Sequence, residues 1–219
     1  MTFFRNLLGG ALFVLAALIT AYPGAFAEED NLPSFGRDTV LVWEIENGDL
    51  DANFVVRIAL FDPDRFMEWE SENSQGTVYM PSRDIRDAKG YVTRNLFEGG
   101  VDKKSKNNTT IWLSRRIYRE LKSKGKAKCR LDGVGGTLEY LGQDSLTVDV
   151  NSIPKQLPAI KASDGRGSEF WFLDREENPL MVKHRVRKYS QTLTVISTDR
   201  SNTLRWIKGE KLAHPPQTQ

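Results

Sequence analysis

Along most of this chain hydrophobic and polar side chains trade places every second residue, the pattern of strands with one face buried. Phe54, Val56, Ile58 and Leu60 alternate with Val55, Arg57, Ala59 and Phe61. After Asp62-Pro63-Asp64 the alternation resumes, with Met67 and Trp69 on one face and Glu68 and Glu70 on the other, so the two runs predict a hairpin. Residues 40–46 predict a strand before it, closed by Asn47-Gly48-Asp49, and residues 76–80 a short strand after it, ended by Pro81. Ser82-Arg83-Asp84 suits a brief helical turn ahead of Gly90. Residues 91–97 read as extended or helical, and 98–106 as a loop around Gly99-Gly100.

One stretch departs from this alternation. Residues 111–123 hold good helix formers, with candidate N-caps at Asn107-Asn108-Thr109-Thr110 and Gly125 just past the end. At about 100° per residue, Ile111, Leu113, Ile117, Tyr118 and Leu121 share one arc. Strand patterns then return at 126–132, 137–141, 145–150, 157–162, 169–174, 180–187 and 191–198, with turns expected at Gly133 to Gly136, Gly142-Gln143-Asp144, Pro154, Asp164-Gly165, Asn178-Pro179 and Lys188 to Ser190. Residues 203–207 add a last candidate strand. Short strands at close spacing predict an antiparallel meander, and with the helix an α+β domain: a curved antiparallel sheet, half-barrel or barrel-like, with one amphipathic helix packed on it.

The N-terminal segment breaks the pattern in another way. A short basic start at Arg5, an apolar run from Leu7 to Ala21 and the ending Ala25-Phe26-Ala27 are the three parts of a secretory signal, with cleavage expected after Ala27. The run is shorter than the roughly 20 apolar residues of a membrane span. Glu28 follows the cut, where a lipoprotein would carry a cysteine. The expected organisation is a signal peptide at 1–27, a flexible lead-in at 28–38, one β-rich domain at 39–208 and a flexible tail at 209–219, in a periplasmic or secreted protein.

Composition then removes several function classes. The formal charge of +2 falls with Arg5, so net charge selects no partner. Cys129 is the single cysteine, so no internal disulfide forms; alternation sets it opposite Lys128 and Arg130, as a buried strand thiol or else a reactive nucleophile or intermolecular bridge. His184 is expected to point inward and His214 lies in the tail, too far apart for a metal site, and no metal or cofactor is expected. Asp132-Gly133 and Asp164-Gly165 lack the flanking residues of a paired-aspartate protease and read as turns. No nucleophile elbow, phosphate loop or dinucleotide fingerprint is present. Export argues against nucleic acid as a partner.

Cations carry the remaining signal. Arg115, Arg116, Arg119 and Lys122 occupy the helix arc opposite the apolar face, Trp112 lies among them, and Lys124, Lys126, Lys128 and Arg130 follow. A second row, Lys183, Arg185 and Arg187, alternates with Val182, His184 and Val186. Such faces hold anionic headgroups, polysaccharide or phosphate, each cation adding about 1 kcal/mol near an anionic surface.

Phe170-Trp171-Phe172-Leu173-Asp174, followed by Glu177-Asn178-Pro179-Leu180-Met181-Val182, resembles a hairpin of uncharacterised exported bacterial proteins. Their architecture resembles the half-barrels of periplasmic lipoprotein carriers, in which an antiparallel sheet wraps around helices and an apolar cavity. The resemblance implies an envelope role and an apolar ligand.

The expected function is non-enzymatic binding of a lipid-like or anionic envelope ligand, with peripheral membrane contact. The expected site joins an apolar interior lined by Trp43, Met67, Trp69 and Trp171 to a rim of Trp112, Arg115, Arg116 and Arg119. A hydrolase using Cys129 or His184, and a scaffold without a small ligand, are the alternatives.

Overall fold

The computed structural model describes residues 32–198 except Asp49, Arg94 and Asn95. The signal segment, the strand expected at 203–207, His214 and the tail lie outside the described residues. Within them, the expected class holds: one large curved sheet, mainly antiparallel, with two short helices.

Residues 32–38, expected as part of a loose lead-in, are instead laid on the sheet. Phe35 stacks on Phe61 at 5.7 Å, the Asp38 N–H donates to the Ile58 carbonyl at 2.7 Å, and the Asp38 carboxylate pairs with Arg57 at 3.1 Å. Strands β1 (Val40–Asn47), β2 (Leu50–Leu60), β3 (Arg65–Ser71) and β4 (Ser74–Met80) then pair in sequence order. The hairpin register sets Val56 opposite Trp69 and Ile58 opposite Met67, all buried, as the alternation requires.

After α1 (Ser82–Asp87) the chain forms β5 (Gly90–Tyr91), then β6 (Asp102–Lys104) parallel to β4, within what the sequence reads as a loop, and β7 (Asn108–Thr109). Helix α2 (Arg115–Lys124) begins later than the pattern suggests. Residues 111–113 spend their backbone groups sideways: the Met181 N–H donates to the Ile111 carbonyl at 2.6 Å, and the Leu113 N–H to the Pro179 carbonyl at 3.0 Å. Those bonds exclude a helical path, so the cap is Ser114, whose Oγ accepts from the Ile117 N–H at 3.2 Å, rather than any residue at 107–110. Gly125 ends the helix with φ of 70°, as expected.

Strands β8 (Lys126–Leu131), β9 (Val134–Val150), β10 (Ile153–Ser163), β11 (Ser168–Leu173), β12 (Met181–Val186) and β13 (Tyr189–Ser197) form the meander. Two expected strands are one: β9 runs through Gly142-Gln143-Asp144, which bends it at a bulge where Gly142 faces Lys161 and Tyr140 faces Ala162. Continuous pairing with β10 keeps the chain extended there. The turn after β9 falls at Asn151-Ser152, both with positive φ, and Pro154 sits inside β10 opposite Asp149. The bend lets the end of β9 reach β13, where Val195 and Ile196 pair in parallel with Asp149 and Val150. β9 to β13 thereby close into a ring of five strands, with β1 to β4 continuing from β13 and β8 from β9.

The core has two aromatic centres. Phe54 contacts Trp43, Trp69 and Phe97 under the first sheet segment; Tyr91 meets Phe170 and Phe172 edge-on in the ring segment. Trp43, Met67 and Trp69, expected to line a ligand cavity, are buried in one hydrophobic cluster with these side chains. Among the described residues no helix is long and apolar enough to cross a membrane.

Candidate functional site

Helix α2 buries Ile117, Tyr118 and Leu121 and turns its cations outward. Most of them meet carboxylates. Arg116 pairs with Glu120 one turn on at 3.0 Å, Arg119 with Glu176 at 2.6 Å and Lys122 with Asp174 at 2.9 Å. Asp174 also accepts from the Tyr118 hydroxyl at 2.5 Å. Burial opposes the Asp174 charge, but the bonds from Tyr118 and Lys122 outweigh it and hold its carboxyl below its usual range. Burial, with the same bond to Asp174, pushes the Tyr118 phenol up.

Trp112 does not share that face. It precedes the helix, is buried, bridges to Leu180, and donates its indole N–H to Asn178 Oδ1 at 2.7 Å. Its place in the wall follows from the sideways backbone bonding of residues 111–113. Arg115 is half-buried beside it and forms no ion pair among the described residues. The expected rim is thus divided: Arg119, exposed, and Arg116, half-buried, are paired with carboxylates, while Trp112 and Arg115 belong to a second cluster.

That cluster contains a residue the sequence reading passed over. Arg65 opens β3 and is buried, with its guanidinium carbon 3.6 Å from the centre of the Phe61 ring and 5.8 Å from that of Trp112. The signal was present, because alternation sets Arg65 on the inward face with Met67 and Trp69.

The cations that follow α2 have a different setting. Lys124 closes the helix, and Lys126, Lys128 and Arg130 stand exposed on the outer face of β8 at about 6.8 Å intervals. None of the four forms an ion pair among the described residues, although Glu139 faces Lys126 across the strand pair. Between them Ala127 and Cys129 point into the core. Burial pushes the Cys129 thiol up to about 11. In the native protein it is expected to resist a disulfide reagent at about pH 8 and to react fully in denaturant. Rapid labelling of the folded protein would restore the nucleophile.

The remaining candidates are engaged. Trp171, expected inside, lies on the opposite face from Phe170 and Phe172, where Lys161 and Lys183 reach its ring at 4.8 and 5.5 Å and Asp144 accepts its indole N–H at 2.7 Å. Strand alternation, not an apolar cavity, decides its position. Arg185 pairs with Glu169, which also binds Lys161 at 2.7 Å. His184 does point inward, its ring flat on Phe170 at 4.4 Å. Asp164 accepts from the N–H groups of Arg166 and Ser168 within its own turn, whereas Asp132 accepts from the N–H and hydroxyl of Thr93 and ties the β8–β9 turn to the segment after β5. Compared with known proteins, the chain matches no family model, no curated protein and no solved structure.

Proposed function

We propose that this chain is an exported, non-enzymatic envelope protein that docks on an anionic lipid surface through the basic row of Lys124, Lys126, Lys128 and Arg130. The observation that carries the reading is that these cations project from one strand face and a helix end without carboxylate partners, unlike those along α2. Export rests on the sequence of residues 1–27. A strand row is stiff, so its charges meet a flat surface together, and each contributes about 1 kcal/mol against anionic headgroups at low salt.

Vesicle flotation tests this. The wild-type protein is expected to float with phosphatidylcholine vesicles that contain phosphatidylglycerol, not with phosphatidylcholine alone, and to be released by salt. Reversing all four charges to glutamate should abolish flotation; Arg116→Gln with Arg119→Gln should change it little. A quadruple variant that floats like the wild type would refute the assignment.

A further inference from the structure

Among the described residues Arg65 is the most deeply buried charged side chain, 2 % exposed where the next, Asp84, is 6 % exposed. Asp84 has its partners, the Ser105 hydroxyl at 2.6 Å and the Asn107 N–H at 3.0 Å. Arg65 does not: its Nε and Nη1 have no hydrogen-bond partner among the described residues. Burial lowers its pKa to about 10, with Asp62 favouring the charge and Arg115 opposing it, so the guanidinium stays protonated at neutral pH. A buried charge without an acceptor is one of the costliest features a fold carries.

The unsatisfied groups around it are of one kind. Arg115 Nε and Asn178 Nδ2 are also buried without a partner. Asn178 is 4 % exposed, and because its Oδ1 already accepts from Trp112, the free end of the amide is fixed as a donor. The Thr110 hydroxyl, close in sequence to Trp112, is buried and unpartnered as well. Helix α2 starts here with Arg115 and Arg116 in its first turn and no acidic residue, although the positive end of a helix favours carboxylates. The acids nearby are occupied or exposed: Glu120 pairs with Arg116, Glu177 with Arg175 at 3.4 Å, and Asp62 lies exposed in the β2–β3 turn. Asp62 and Glu177 act on the two arginines only through space, and among the described residues no carboxylate is bonded to Arg65 or Arg115.

We propose that Arg65, Arg115 and Asn178, gathered around Trp112 at the N-terminal end of α2, bind the oxyanion of a small organic ligand, a carboxylate or a phosphate. Phe61 covers one face of the Arg65 guanidinium, and its Nε–H and Nη1–H, which leave the group on different edges, are each without an acceptor and can donate to oxyanion oxygens. The Asn178 amide supplies a further donor. Phe61, itself stacked on Phe35, offers an apolar flank for the body of the ligand. The site shares no residue with the basic row on β8, and it takes a discrete molecule rather than a surface.

Thermal unfolding in inorganic phosphate and in benzoate, each against chloride at equal ionic strength, tests the site. A probe at about ten times its Kd should raise Tm by about 3–6 °C. A rise with phosphate alone marks a phosphate-bearing ligand, with benzoate alone a carboxylate, and with both the shared oxyanion chemistry. Arg65→Met should remove the rise while leaving the unliganded protein no less stable, since a charge without a partner has been replaced by an apolar chain. Arg115→Gln should weaken binding about tenfold or more. The variant with four reversed charges on β8 should keep the full rise, which separates this site from the membrane reading. No rise with either probe overturns the proposal, as does a rise that survives Arg65→Met or is lost in the β8 variant. If Arg65→Met unfolds too readily to read, unchanged affinity in Arg115→Gln overturns it.

Discussion

Replacing Trp43 by alanine is expected to lower folding stability by about 3–5 kcal/mol, the range for emptying a fully buried large aromatic site. Trp43 is wholly inaccessible to solvent and packs on Phe54 at 5.9 Å. Its indole N–H donates to the Met181 carbonyl at 3.1 Å, which ties β1 to β12 across the intervening β13. At this point β13 carries an extra residue, Thr194, because Val42 pairs with Val195 and Trp43 with Leu193. The large side chain therefore fills the inside of a bend. Trp43→Phe keeps a ring in the site but loses part of the indole volume together with the N–H, so it should cost less than the alanine variant, about 2 kcal/mol. Urea denaturation of both variants gives the comparison. An alanine variant within about 1 kcal/mol of wild type would show that the bend does not depend on this residue.

Asp174→Ala is expected to cost about 2–3 kcal/mol at neutral pH, because it leaves the Tyr118 hydroxyl and the Lys122 ammonium without their acceptor between α2 and the ring. The loss should depend on pH. Asp174 has a folded pKa below its unfolded value of about 3.9, so its contribution is complete above that value and disappears as pH falls through the folded pKa. The gap between wild type and variant should stay constant from about pH 7 to pH 5 and narrow below about pH 4. Asp64, Asp144 and Glu169 are lowered in the same direction, by hydrogen bonds from Tyr79, Trp171 and Lys161 respectively, so the variant should retain part of the acid sensitivity. Denaturant midpoints across that range test it, and a gap unchanged at low pH would mean that the carboxylate charge is not what Asp174 contributes.

How much of the structure could be read in advance varies with the range of the interactions involved. The β2–β3 hairpin and the inward thiol of Cys129 were legible because alternation is a local property of the pleat. The end of α2 was legible because Gly125 can take a left-handed conformation. The start of α2 was not. Its position depends on whether the backbone of residues 111–113 bonds within the helix or to residues 179–181, and the second choice brings together segments far apart in sequence. The same contact moved Trp112 from an expected surface into the wall.

The candidate site shows the same division. Sequence alone gathered the cations of α2 and β8 but could not tell the paired from the unpaired, since Glu176 and Asp174 reach α2 only once the ring is folded. Arg65 was legible as a charge at an inward strand position, yet its lack of acceptors is a fact about its neighbours.

By itself, the sequence determined most of the longer elements, the faces that most strands bury and the mainly antiparallel order, because side-chain period and turn chemistry act within a few residues. Only the tertiary structure decided that β9 and β13 join to close the ring, that the aromatic side chains meet in one buried cluster, and that Arg65 lies buried near Arg115 with no carboxylate bonded to either. Each of these depends on which distant groups arrive beside one another, and period and propensity carry no record of that.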